Sequence, residues 1–318
     1  MDHYYSLNQY LRRAFGQKVY KISLNGGMTC PNRDGTLGTR GCIFCSAGGS
    51  GDFAAQPAPI YDQIEAAKAQ VARKTQGGPY IAYFQAYTNT YAPLPYLERI
   101  FTEAINHSDI VALSIGTRPD CLPEPVLDLL GRLARIKPVW VELGLQTIHP
   151  PAAAYIRRGY DLPVFDAAVA ALKARGLSVI VHLILGLPGE TREQMIESAY
   201  YVGRALTRQK LPALPTGQAP ADGVKLQLLP VLQGTDLAED YAAGRFKTLS
   251  MKEYFSILFD CIEVLPPELV IHRLTGDGPK SILIEPQWTG NKKSVLNAMK
   301  TAMDAADIQQ GKRLLTNQ

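Results

Sequence analysis

No stretch of this chain is apolar for long enough to cross a membrane, and the opening residues Met1-Asp2-His3-Tyr4-Tyr5 are polar, unlike the apolar core of a secretory signal. Cysteine is scarce. Five in 318 residues is an odd number, and it argues against a disulfide framework as the basis of the fold. These absences predict a protein of a reducing interior, cytoplasmic and without a membrane partner. Neither sign of charge dominates: 33 basic against 29 acidic side chains leave +4, which permits a nucleic-acid partner without requiring one. Low-complexity tracts are missing. Apolar residues make up 46% and charged residues 19%, enough for the core of one large α/β domain or two small ones.

Three of the five cysteines fall in one stretch, Cys30-Pro-Asn-Arg-Asp-Gly-Thr-Leu-Gly-Thr-Arg-Gly-Cys42-Ile-Phe-Cys45. A C-x-x-C turn aims two thiolates at one centre, and a third from the same loop completes three-point ligation. Thiolates favour iron–sulfur clusters, zinc or copper(I). Closed structural sites usually have four protein ligands. Three thiolates, with no histidine between Gly16 and Asn106, indicate a site open at one corner, where a substrate or cofactor can bind. Phe44 precedes the last cysteine and could flank a bound ring. The competing reading is a zinc knuckle closed by Cys121 or a distant histidine, on a non-catalytic binding protein.

The pattern C-x11-C-x-x-aromatic-C resembles the radical S-adenosylmethionine (SAM) superfamily. Its long first spacing is similar to the YhcC/YtqA-like subgroup and the related catalytic subunit of elongator. The resemblance continues through Tyr83 to Tyr91, Gly116-Thr-Arg-Pro-Asp120, Glu142-Leu-Gly-Leu-Gln146 and Leu185-Gly-Leu-Pro-Gly-Glu190, and so covers most of the chain. It implies that Cys30, Cys42 and Cys45 hold a [4Fe-4S] cluster whose fourth iron binds SAM. An electron from a reductant such as flavodoxin or ferredoxin would cleave SAM to methionine and a 5′-deoxyadenosyl radical. It further implies a tRNA substrate, at the wobble uridine, with a small molecule or a protein as the alternative. Elongator's acetyltransferase domain has no counterpart here, so acetyl-CoA chemistry is not expected.

Read by periodicity alone, the chain alternates strand and helix six times between residues 18 and 265, beginning with Lys18–Leu24 as the first strand and ending on a helix through Phe255, Leu258 and Ile262. Alternation of this kind predicts a parallel sheet covered by helices, here an α/β partial (β/α)6 TIM-like barrel over 1–265, which is also the fold the resemblance implies. The loop 25–59 would carry the cluster at the C-terminal ends of the strands. Residues 266–318 would form a small extension with a short strand at 269–274, a helix through Val295 and Met299, and a loose tail from Gln309. Thr207–Asp222, with three prolines, reads as a surface insertion.

The strand ends supply the remaining candidates. Gln146 is a candidate for a hydrogen bond to SAM or substrate, and the resemblance implies that the Leu185-Gly186 turn meets the adenine of SAM, where glycine would let the backbone approach a flat ring closely. That turn lacks the G-x-G-x-x-G and P-loop spacings. Glu142 lies inside an apolar strand and must be paired, either with a buried basic residue or with SAM or substrate. Gln85 stands where superfamily relatives often carry a glycine-rich turn ending in an acidic residue. Arg118 offers a two-pronged contact for the SAM carboxylate. Cys121 is the candidate for a catalytic thiol, whereas Cys261 and His182 read as core residues. Arg158, Arg273, Lys292 and Lys293 are candidates for substrate binding, with Arg33, Arg40 and Arg157 as further phosphate contacts. Otherwise His272-Arg273 and Lys292-Lys293 read as solvated charge.

Overall fold

A computed structural model describes residues 2–49, 51, 54, 57–75, 77–203, 221–276 and 278–315. In chain order the strands are β1 (Tyr20–Leu24), β2 (Tyr80–Phe84), β3 (Ile110–Thr117), β4 (Val139–Gln146), β5 (Ser178–Leu185), β6 (Gly223–Leu228), β7 (Val231–Leu232), β8 (Val270–Arg273) and β9 (Leu283–Glu285). The helices are α1 (Leu7–Phe15), α2 (Ile60–Thr75), α3 (Leu94–Asn106), α4 (Glu124–Ala134), α5 (Pro150–Tyr155), α6 (Leu162–Ala174), α7 (Arg192–Gly203), α8 (Asp236–Ala242), α9 (Met251–Glu263), α10 (Lys292–Ala305) and α11 (Lys312–Leu315).

Seven strands form one parallel sheet in the order β1-β2-β3-β4-β5-β6-β8, and β7 pairs antiparallel with β9 beside it. The sheet is the curled partial barrel expected from the alternation, with one strand more than the six repeats: the short strand of the C-terminal stretch completes it. Ser250 and Glu253 close a capping box on α9, and proline stands in the first turn of α3, α4, α5 and α6, where its missing N–H costs nothing. Strands such as Ile110-Val-Ala-Leu-Ser-Ile are apolar on both faces because helices cover one side and the barrel interior fills the other.

Side chains alternate along each strand, so residues two apart face the same way. Ile81, Ala112, Trp140 and Ile180 cluster as an apolar floor, closed from below by Leu11 of α1 and by Val19. Two residues further on, Tyr83, Ser114, Glu142 and His182 form a polar layer. Two more bring Gln85, Gly116, Gly144 and Ile184 to the lining of a cavity at the C-terminal ends of the strands.

The tail departs from expectation. Gln310 is buried, its side chain donating to the carbonyls of Pro266 and Leu269 and accepting from the N–H of Tyr5, and α11 follows it. Three hydrogen bonds to backbone groups hold a segment that composition alone marked as loose. Most of Thr207–Asp222 lies outside the described residues.

Candidate active site

The described residues between Asn25 and Pro59 form neither helix nor strand. What holds them is backbone pairing to the loops that follow other strands. Thr88 donates to Thr29 O (3.2 Å), Ile43 to Ile156 O (3.3 Å) and Leu237 to Ile43 O (3.0 Å). Asn32 Nδ2 donates to Arg157 O (2.7 Å) and to Cys42 Sγ (3.3 Å), and Arg33 donates to the carbonyls of Cys45 (3.0 Å) and Ser46 (2.6 Å). Gly49 must be glycine: its φ is +58°, and a Cβ there would lie 2.2 Å from the Tyr87 ring.

This scaffold brings Cys30, Cys42 and Cys45 to one wall of a cavity of about 250 Å3. Burial, with Cys45 nearby, pushes the Cys42 thiol up to about 12. Among the described residues, only Glu65, His107 and Asp109 bring three potential metal-ligand atoms within 4.8 Å of one another.

The cavity's lower wall is the polar layer. Glu142 Oε1 accepts from Lys21 Nζ (2.6 Å) and Ser114 Oγ (2.6 Å), while Oε2 is bonded to His182 Nε2 (2.7 Å) and Lys225 Nζ. Burial by itself would raise the Glu142 carboxyl; Lys21, Lys225 and His182 outweigh it and hold it well below the usual range. Burial, with Lys225 adding to it, lowers His182 to about 4, and burial lowers Lys225 to about 7 against the pull of Glu142.

Phe44, Gln85, Arg118, Glu142, Gln146, Arg158 and Arg273 all line this cavity together with the three cysteines. Their commitments differ. Gln146 has φ +66°, and its Oε1 is buried with no hydrogen-bond partner. Gln85 Oε1 accepts from Ser23 Oγ (2.9 Å). Arg118 places both prongs on Asp120 (2.9 and 2.7 Å), and Arg158 donates to the carbonyls of Leu145 (3.0 Å), Thr147 (2.6 Å) and Tyr160 (3.0 Å). Both guanidiniums flank the Tyr160 ring, at 5.0 and 4.9 Å. Arg40 and Arg157 share Asp236.

Leu185 and Gly186 do not line the cavity; β5 presents Ile184 instead. Gly186 turns with φ +89° beside Leu249, and its N–H points at Met195 Sδ (3.1 Å). Cys121 is buried outside the cavity, its thiol pushed up to about 12 by burial and Asp120. Cys261 is fully buried on α9. Lys292 and Lys293 open α10 on the surface, away from the cavity lining. His272 packs edge-on against Trp140 at 5.6 Å rather than in solvent.

Lys21, Tyr83, Lys225 and Tyr160 are the residues that sequence reading passed over. A signal for the lysines existed: each sits in the middle of a β-rich run, as Glu142 does. A lone charge inside a strand is a reason to look for its opposite in another strand.

A model described as Radical SAM superfamily matches residues 35–201, and one described as Radical_SAM C-terminal domain matches 221–305. YtqA of Bacillus subtilis is 41% identical over 97% of this chain and 92% of its own length. The tRNA uridine(34) acetyltransferase of Methanocaldococcus jannaschii is 28% identical over 59% of this chain and 32% of its own. The structure of archaeal Methanocaldococcus infernus Elp3 with an N-terminal deletion superposes with a TM-score of 0.66 at 19% identity, covering 92% of this chain and 64% of that one.

Proposed function

This chain belongs to the radical SAM superfamily of [4Fe-4S]- and SAM-dependent enzymes, and on that premise we propose that it uses the cavity beneath the cysteine loop to modify tRNA at the wobble uridine. When bound, the cluster and SAM supply reductive cleavage of SAM to methionine and a 5′-deoxyadenosyl radical. The electron would come from a small redox protein of the flavodoxin or ferredoxin type.

The residues present fit those groups. Three thiols from one loop, brought to the wall of one cavity, suit a cluster in which each binds a different iron. Gln146 Oε1 is a buried acceptor that needs a donor, and an amine or hydroxyl of SAM would supply one. Gly116 and Gly144 keep the strand ends bare: a Cβ at Gly144 would meet the Gln146 amide at 2.7 Å. Cys30, Cys42 and Cys45 would hold the cluster, and Phe44 and Gln85 would border SAM. Arg118 and Arg158, tied to Asp120 and to backbone carbonyls, would position the loops around it. If Phe44 packs on the adenine, Phe44→Ala should weaken SAM binding by about 1 kcal/mol, roughly fivefold. Equilibrium dialysis of the reconstituted protein measures this.

The tRNA reading is supported by the relative that bears a tRNA uridine in its name, over 59% of this chain. A base presented singly suits a cavity at the mouth of an open sheet. Of the phosphate candidates, Arg33, Arg40, Arg157 and Arg158 bond within the protein, whereas Lys292 and Lys293 stand exposed at the start of α10. The Lys292/Lys293 double alanine variant should flatten the log–log salt dependence of tRNA binding by about 0.7 to 0.9 per lost contact. The decisive comparison is the nucleoside content of total tRNA from cells with and without this protein. Identical profiles, with binding no tighter than to a bulk polyanion, would turn the reading to a small molecule or a protein.

A further inference from the structure

Inside the barrel three cations face one carboxylate. Lys21 on β1, Lys225 on β6 and Arg273 on β8 share the polar layer with Glu142, whose four hydrogen bonds already use both its oxygens. Lys225 and Arg273 are register neighbours across β6 and β8, so they project to the same side. Lys225 is buried and reaches only Glu142 and the Tyr83 hydroxyl (3.3 Å) among its hydrogen-bond partners. Arg273 pairs with no carboxylate among the described residues; its one side-chain hydrogen bond is a long one, 3.5 Å, to Gln227. His182 and His272 bring no negative charge to the layer. Lys225 is buried and Arg273 half-buried, and charge withdrawn from water is costly unless something neutralises it. Lys225, Arg273 and Gln227 all line the same cavity as the cysteines, so that something can come from outside.

We propose that the floor of this cavity is an anion site, in which Arg273 and Lys225 receive a carboxylate carried by the reacting end of the substrate. A guanidinium grips a carboxylate with two parallel hydrogen bonds, and an ammonium beside it adds a point charge. The substrate class is then an acid at its reacting end, whatever polymer or small framework carries it. The inference rests on the enzyme reading of this cavity and is independent of whether that framework is RNA.

The test uses the anaerobically reconstituted protein with acetate as the probe and acetamide as its uncharged isostere. Saturation-transfer NMR on the methyl protons should detect acetate and not acetamide. Arg273→Gln should weaken acetate binding about tenfold or more, Arg273→Lys should keep part of it, and Lys225→Met should weaken it again. Thermal melting of each variant shows that it is folded. Acetate should still bind when SAM is saturating. Displacement of acetate by SAM, one for one, would assign the site to SAM's own carboxylate and overturn the proposal. So would equal binding to wild type and Arg273→Gln, or no binding to a folded, cluster-loaded protein. The same samples are assayed for 5′-deoxyadenosine, so SAM cleavage without acetate binding sinks this inference alone, and loss of both cluster and SAM binding sinks the enzyme reading beneath it.

Discussion

Cys42→Ala protein, reconstituted without oxygen, should bind little iron, lack the brown [4Fe-4S] absorption and form no 5′-deoxyadenosine. The same is expected of Cys30→Ala and Cys45→Ala, because two thiolates leave two irons without a protein ligand. Cys121→Ala and Cys261→Ala should keep full iron content. Both thiols are buried away from the cavity, out of reach of a cluster held by the loop. Activity should fall by orders of magnitude in the first set and little in the second. Iron analysis, visible absorption and product chromatography measure the three effects. A colourless, zinc-loaded wild type, or full iron in Cys42→Ala, would contradict the assignment.

Glu142→Gln should lower the stability of the fold by about 3 to 5 kcal/mol, the usual cost of removing one partner from a buried ion pair. The carboxylate is fully buried, and its loss leaves Lys21 and Lys225 facing each other in the barrel with Arg273 nearby. Denaturant unfolding would give the difference. Replacing Lys225 by methionine as well should recover part of it, because that removes an uncompensated charge rather than an interaction. Strict additivity of the two substitutions in a double-mutant cycle would show that they are not coupled. Glu142 thus realises the buried-pair alternative left open by its sequence context; with four protein partners its oxygens are fully used.

That the three cysteines share one cavity was legible because residues within one loop stay close in space. Gln85, Gly144 and Gln146 were legible because strand ends in a parallel barrel face one mouth. Arg118 and Arg158 were legible as charges but not as clamps. Asp120 is only two residues from Arg118, but the carbonyls of Leu145 and Thr147 that Arg158 reaches depend on how the segment after α5 meets the end of β4. The resemblance implied that the Leu185-Gly186 turn borders SAM, with glycine allowing close approach. Here the close approach is to Leu249, within the protein.

By itself the sequence determined the parallel sheet, since alternating runs of period two and 3.6 leave few other architectures, and it determined that three thiols share one loop, since spacing along the chain is local. Only the tertiary structure decided what fills the barrel. Period-two alternation says that Lys21, Glu142 and Lys225 share a side of their strands with every second neighbour. It cannot say that those sides turn inward to the same level. That level is set by the stagger of the parallel strands, by the floor that Leu11 and Trp140 close, and by the β8 strand that adds Arg273. Charges more than eighty residues apart in the chain became one buried cluster because register is a property of the whole sheet.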